Sequence, residues 1–293
     1  MRLDSYLETN GNANARRSGP VERPANGAYT RIDNAYYDSD GGRWWQPDSP
    51  LYLIHSSVNP ARMGYFQRNL FSEPDFSPTG KAALDVGCGG GFLSEQLSRM
   101  GFDVTGIDPS LQSLQTAANH AGAGGLPIKY TAGSGEALPF LDNSFDYVFC
   151  CDVLEHVSDL PKVVSEIARV LKPGGFFCFD TFNRTLASRL AAIHLAQTWK
   201  RWAFAPPNLH NWEMFIKPGE LKNLLASCGL AWQEHKGLRP NVALPALLKA
   251  LRKRARGIYT YGELGQRLCL TECNHTRLMY MGYAVKNAGK QKN

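Results

Sequence analysis

None of the 293 residues falls in an apolar run approaching the ~20 needed to cross a bilayer, so no membrane-spanning helix is expected. Met1 to Ala28 are polar and rich in Asn, Gly, Arg and Pro, without the apolar core of a secretory signal. They read as a disordered tail on a cytoplasmic protein. The seven cysteines are odd in number and follow neither a disulfide framework nor a zinc spacing. Cys150 and Cys151 are adjacent, and Cys269-x3-Cys273 with His275 is the one cluster to weigh. It lacks a second ligand pair, so the thiols read as free and buried in a reducing compartment. Acidic residues are missing from Asn241 to Thr260, where Lys249, Arg252, Lys253, Arg254 and Arg256 supply most of the net charge of +6. The remainder is close to neutral, which argues against a general nucleic-acid binder.

What is present is ordinary for a globular protein: 43% hydrophobic and 20% charged residues. The length suits one α/β domain with insertions, or one domain with a small cap. From Lys81 onward, strands alternate with helical stretches, the pattern of a parallel sheet covered on both faces. Strands are expected over 82–86, 102–107, 128–130, 145–150, 176–180, 230–235 and 277–286, giving seven. Helices are expected over 92–100, from the Ser110 cap to about His120, over 160–171 before Pro173-Gly174-Gly175, and over 217–228. The domain plan is a tail at 1–30, an aromatic-rich helical cap at 31–80, and a main domain at 81–286. That domain carries insertions at about 184–211 and 237–276, and a short tail follows at 287–293. The cap has to pack somewhere, over a cofactor or a substrate.

Asp85-Val86-Gly87-Cys88-Gly89-Gly90-Gly91 sits at the first strand-to-helix junction, where glycines let the backbone turn sharply and approach a ligand. A dinucleotide fingerprint needs Gly-x-Gly-x-x-Gly, and counted from Gly87 its last position is Phe92. It fails, which opposes a nicotinamide oxidoreductase. A carboxylate inside the strand, two residues ahead of the first glycine, is instead typical of S-adenosylmethionine-dependent methyltransferases. Asp85 can receive the methionine ammonium, while Gly87 and Gly89 admit the carboxylate end and the ribose. Asp108 ends the second strand, where a carboxylate can accept both hydroxyls of a ribose diol. Backbone near Gly135 and Glu136 would edge the adenine. Taken singly, the glycines are also ordinary turn chemistry, and Asp108 before Pro109 also reads as a helix cap. Taken together, at these spacings, they indicate a Rossmann-like class I methyltransferase.

Further blocks resemble one family, the ubiquinone-biosynthesis O-methyltransferases. These are Arg43-Trp44-Trp45, Asn59-Pro60-Ala61-Arg62-Met63-Gly64-Tyr65, Asp152-Val153-Leu154-Glu155-His156-Val157, Asn183-Arg184, Phe215-Ile216-Lys217-Pro218-Gly219-Glu220-Leu221 and Met279 to Lys286. The glycine loop and the Glu-His-Val motif are widespread; the Trp-Trp, Asn-Pro-x-Arg and Phe-Ile-Lys-Pro blocks are more specific. The resemblance covers Trp44 to Lys286 and implies methyl transfer to a hydroxyl of a catechol or hydroquinone-like ring. It implies that Arg62, Gly87, Asp108 and Cys151 contact S-adenosylmethionine; a guanidinium suits the methionine carboxylate. Some members hold a divalent ion through two Glu and a His. The matching positions are Asp152, Glu155 and His156, with Asp one methylene shorter than Glu. A helical turn there would bring i, i+3 and i+4 to one face, and oxygen ligands suit Mg²⁺. The other reading is a helix-start carboxylate beside a hydrogen-bonded histidine, without metal.

For the proton of the acceptor hydroxyl, His156 with Glu155 is the first choice of base, and His210 the second. The stretches 186–204 and 243–256 each set apolar side chains against basic ones. They read first as lids over a pocket, secondly as amphipathic helices resting on an anionic membrane. A natural-product O-methyltransferase and a non-catalytic cofactor-binding module are the alternative functions. The Asn/Asp-Pro-Pro-aromatic motif of a nucleic-acid methyltransferase is replaced by Cys151-Asp152-Val153-Leu154. The acceptor's identity and the oligomeric state are not encoded in any motif.

Overall fold

A computed structural model describes residues 34–199, 203, 205–206 and 208–288. The expected N-terminal tail, Lys200, Arg201 and Phe204 of the first insertion, and most of the C-terminal tail lie outside the described residues.

β1 (Ala82–Val86) is apolar on both faces apart from Asp85, as a strand sandwiched between helix layers must be. β2 (Asp103–Asp108) and β4 (Phe145–Cys151) pair with it in parallel on either side. β3 (Lys129–Ala132) extends the sheet beyond β2, and β5 (Leu171–Phe182) extends it beyond β4. Strand order therefore reverses at β1 and β4, where α/β sheets leave a crevice at the carboxyl ends of their strands.

β8 (Met279–Lys286) runs antiparallel to β5, and β6 (Leu230–Pro240) antiparallel to β8. An eighth strand, β7 (Leu270–Cys273), pairs antiparallel with residues 237–240 of β6. The expectation of seven strands is corrected on this point. β6 runs five residues past its expected end at His235, and the chain returns along it after the helical part of the second insertion.

Helices close both faces. α1 (Ala35–Asp40) and a π-helical turn at Ile54–Val58 lead into α2 (Asn59–Leu70). α3 (Phe92–Met100) starts at Gly91 and ends at Gly101, both left-handed, and α4 (Leu111–Ala123) is capped by Ser110 accepting from the Ser113 N–H. α5 (Leu160–Val170) is capped by Asp159, and α6 (Pro218–Ser227) starts on proline. One core packs Val163, Val164 and Ile167 of α5 and Leu221 and Leu225 of α6 under the sheet. The other packs Tyr65 and Phe66 of α2 and Leu93 and Leu97 of α3 on the opposite face. Truncating one of these fully buried rings to alanine typically costs about 3–5 kcal/mol.

The first insertion contains a π-helix, Arg189–Thr198. The second contains α7 (Leu244–Ala255) and α8 (Tyr261–Leu268). Among the described residues no helix is long and apolar enough to cross a membrane. All seven cysteines are free; Cys88, Cys150, Cys151 and Cys178 are buried. Cys269 is exposed, and Cys228 and Cys273 are half-buried, so burial of the thiols holds for four of the seven.

Candidate functional site

A cavity of about 440 Å³ opens where the strand order reverses, at the carboxyl ends of β1, β2 and β4. Its floor is the glycine turn after β1. Gly87 has a positive φ of 70°, and a Cβ there would stand 2.4 Å from Val153 Cγ2. Gly90 carries Trp44 so closely that a Cβ would lie 2.3 Å from the tryptophan Cβ. Gly89 also lines the cavity, beneath the same indole. Bare backbone is what leaves room for both a ligand and Trp44.

Two carboxylates face this cavity from strand ends. Asp85 accepts a hydrogen bond from Ser94 Oγ at 2.6 Å. Asp108 accepts from the Gly89 N–H and the Ser110 N–H, both at 2.8 Å. Each oxygen keeps a lone pair, so Asp85 can receive an ammonium and Asp108 a vicinal diol. Burial pushes both pKa values up to about 6, against the lowering effect of those hydrogen bonds. Glu136 also lines the cavity and accepts from the Ser158 N–H at 3.0 Å. Cys151 lines it as a buried thiol whose pKa burial drives well up.

Arg62, on α2, is buried at 3% exposure and lines the same cavity. Its Nε donates to Asp180 Oδ2 at 2.5 Å, one terminal nitrogen to Asp180 Oδ1 at 3.0 Å and to Asp152, and the other to Asn59 Oδ1 at 3.1 Å. Burial works against its charge, but Asp180 and then Asp152 outweigh it, so the guanidinium stays protonated. Four of its five N–H groups are thereby engaged, leaving one donor for an incoming carboxylate.

The 34–58 segment lies over the cavity as a strap. Trp44 Nε1 donates to Ser113 Oγ at 2.9 Å, and Trp45 Nε1 to the Gly90 carbonyl at 2.8 Å. Trp45 also stacks on His120 at 3.5 Å, and His120 Nδ1 meets the buried Glu95 carboxylate at 2.6 Å.

A second cavity of about 250 Å³ adjoins the first and is mostly apolar. Leu51, Leu53 and Val58 come from the strap side, Ala191, Ala192 and Ala196 from the π-helix, and Leu238, Leu268 and Leu270 from the second insertion and its strands. Two imidazoles supply much of its polarity: His156 and His210, with ring centroids 5.0 Å apart. Both Nδ1 atoms are buried, and among the described residues neither has a hydrogen-bond partner. Burial lowers the His156 pKa to about 4 and drives that of His210 well below its ordinary value, so both rings are neutral acceptors at pH 7. Gln197 of the π-helix holds His210 in place, accepting from its N–H at 2.6 Å and donating to its carbonyl at 3.2 Å.

Nothing among the described residues supports the metal expectation at Asp152, Glu155 and His156. Asp152 has a φ of 55° and the segment is a turn, so the i, i+3, i+4 convergence of a helix is absent. Asp152 is paired with Arg62. Glu155 points into the core, where Thr181 Oγ1 donates to it at 2.7 Å, and it lines neither cavity. The donors diverge. Among the described residues no group of three His, Cys, Asp or Glu side chains is disposed to hold a metal ion, the Cys269, Cys273 and His275 cluster included.

Two contributors escaped the sequence reading. Asp180, at the end of β5, anchors Arg62; a buried carboxylate at a strand end was its only signal. Tyr37 lines both cavities, and nothing in the sequence separates it from Tyr36.

A family profile described as a methyltransferase domain matches residues 84–179. The chain is 35% identical over 221 residues to a ubiquinone biosynthesis O-methyltransferase of Rhizobium etli (strain CIAT 652), covering 72% of this chain and 88% of that protein. It is 39% identical over 206 residues to one from Methylococcus capsulatus, covering 70% and 83%. A solved S-adenosylmethionine-dependent methyltransferase from Aquifex aeolicus shares the fold with a TM-score of 0.52 at 17% identity, covering 84% of this chain and 98% of that one. With the nucleoside-sized cavity at the strand reversal and likeness over most of the relatives' length, the chain is an S-adenosylmethionine-dependent methyltransferase and belongs to the ubiquinone biosynthesis O-methyltransferase family.

Proposed function

We propose that this chain methylates a hydroxyl of an aromatic quinone precursor, a catechol or hydroquinone-like ring. The observation that carries this reading is the apolar cavity joined to the cofactor cavity, with the His156 imidazole among the residues that line both. The relatives' names favour a quinone precursor over a natural product. Asp85 takes the ammonium, Arg62 the carboxylate, Asp108 the ribose diol, and the Gly87–Gly89 backbone, Glu136 and Cys151 complete the cofactor's surroundings. The cap at 31–80, in its described part, and the main domain at 81–286 then divide the work. The cap covers both ligands and the sheet grips the cofactor.

Bound S-adenosylmethionine supplies an activated methyl group on a sulfonium with a neutral leaving group. The protein's task is to hold the acceptor in line and to take its proton. His156 is a neutral acceptor throughout the working range. The hydroxyl proton grows strongly acidic as the oxygen takes the methyl, so a weak base suffices. His210, held by Gln197, orients the ring beside it. Glu155, kept protonated by burial and the nearby Asp152, ties the turn to β5 through Thr181.

S-adenosylhomocysteine release on a panel of catechols and demethylated hydroquinols tests the assignment. Release is expected on members with an apolar tail, and His156→Ala should lower kcat by roughly 10²–10⁴ while sparing cofactor affinity. Tight cofactor binding with turnover on none of the panel overturns the reading.

The same chemistry gives a role to the exposed face of the second insertion. Leu244, Leu248 and Ile258 are exposed beside Lys249, Arg252 and Arg256. Lys253 and Arg254 are engaged internally, with Tyr259, Tyr261 and Asp48. We assign this face to peripheral contact with an anionic bilayer, where a tailed acceptor would reside.

A further inference from the structure

Methyl transfer requires the two ligands to meet where the two cavities share a wall. That wall consists of Tyr37, Ile54, Asp152 and His156. Asp152 is committed to Arg62, Ile54 has no polar group, and His156 offers an imidazole rather than a hydroxyl. The Tyr37 phenol is the O–H donor of the set.

Its placement is fixed from several sides. The Tyr37 carbonyl accepts from Ser110 Oγ at 3.0 Å and Ser113 Oγ at 3.3 Å, both on the cap and first turn of α4. Its ring stacks against Trp44 at 6.1 Å and meets His156 edge-on at 6.0 Å. Asn34, three residues earlier, donates to the His156 carbonyl at 3.1 Å. The donor and the acceptor on this wall are therefore held relative to one another. Such fixed pairing is what selects between two similar groups of one ligand.

We propose that Tyr37 is a specificity-determining residue: its hydroxyl donates to the acceptor oxygen that is not methylated, while His156 takes the proton of the neighbouring one that is. The inference rests on reading the apolar cavity as the acceptor site. In the step, the C–O bond forms as the C–S bond breaks, the hydroxyl proton passes to His156, and Tyr37 keeps its own. An aromatic ring with two vicinal hydroxyls then enters in one orientation, because the reverse pairing puts the apolar tail against the polar end of the wall.

The test uses the full chain with 4-hexylcatechol, whose two methyl ethers separate by chromatography. The unaltered protein is expected to favour one isomer by about tenfold or more. Tyr37→Phe, which keeps the ring and its stacking, should bring the ratio toward unity and raise KM about five- to tenfold, the scale of one lost hydrogen bond. S-adenosylhomocysteine affinity should stay within about twofold, and Tyr52→Phe, on the same strap but lining neither cavity, should leave the isomer ratio unchanged. Turnover with the same ratio and KM in Tyr37→Phe sinks this inference alone, as does a near-equal mixture from the unaltered protein. No turnover on 4-hexylcatechol or the other vicinal diols sinks the acceptor reading, and this inference with it.

Discussion

Asp85 and Asp108 hold a buried negative charge that an incoming cofactor must find ionised. Burial sets both near 6, against an ordinary 3.8. Below about 6 each gains a proton, and a protonated carboxyl no longer pairs with an ammonium or accepts fully from a diol. Cofactor affinity is therefore expected to fall as the pH drops through 6, by about tenfold per group at pH 5. Titration calorimetry with S-adenosylhomocysteine at pH 7.5 and 5.0 measures it, and equal affinities would refute the roles given to the two aspartates. Their effect on the ligand-free fold has the opposite sign. Between 3.8 and 6 the folded chain binds the extra protons, so these two groups add stability as the pH falls through that window. His156 contributes differently: with its pKa near 4 it loses no proton-accepting capacity near neutrality. The acid limb of turnover should accordingly follow the aspartates.

At the scale of elements, the strap over the glycine turn is the feature that joins cofactor and acceptor sites. Trp44 is the wedge, 6% exposed, set edge-on to Phe92 and seated on Gly90. Trp44→Ala is expected to cost about 3–5 kcal/mol of strap docking. Hydrogen exchange should accelerate across 35–58 while β1 and β4 stay protected, and a strap that remained protected would contradict its assignment as a docked cover. The elements that sequence could place are those with a local signature. β1 carries a buried apolar run before its glycines, α4 its Ser110 cap, and α5 its apolar face and Pro-Gly-Gly stop. β7 has only Leu270-Thr271-Glu272-Cys273, half-exposed at a sheet edge and without alternation, so pairing with β6 alone makes it a strand. The spacing of Asp152, Glu155 and His156 fits a helical turn, but residues 152–156 form an irregular turn. The Arg62 and Thr181 contacts that engage Asp152 and Glu155 are long-range, and spacing is blind to them. Within the site, Asp85, Asp108 and the glycines were legible because strand-end chemistry is local. Asp180 and Tyr37 were not, because their partners lie 118 and 119 residues away.

For the whole molecule, the charge is lopsided while the sheet domain is near neutral, so any surface attraction should act through one face. Flotation with vesicles containing anionic lipid should carry the protein up at low salt and release it as salt rises through the Debye range. Lys249→Glu with Arg252→Glu should abolish flotation and leave S-adenosylhomocysteine affinity unchanged. Failure of the unaltered protein to float at low salt removes the membrane assignment. A different consequence follows from how the two cavities are lined. Among the described residues none beyond 158 lines the larger one, whereas the smaller one draws also on both late insertions, the π-helix with its Gln197 clasp and the paired strands β6 and β7. The reagent is thus gripped by residues up to 158, while the recipient meets the strap and, beyond it, these late segments. A lineage, or a protein engineer, could exchange the recipient by rewriting those late loops without renegotiating the grip on the reagent.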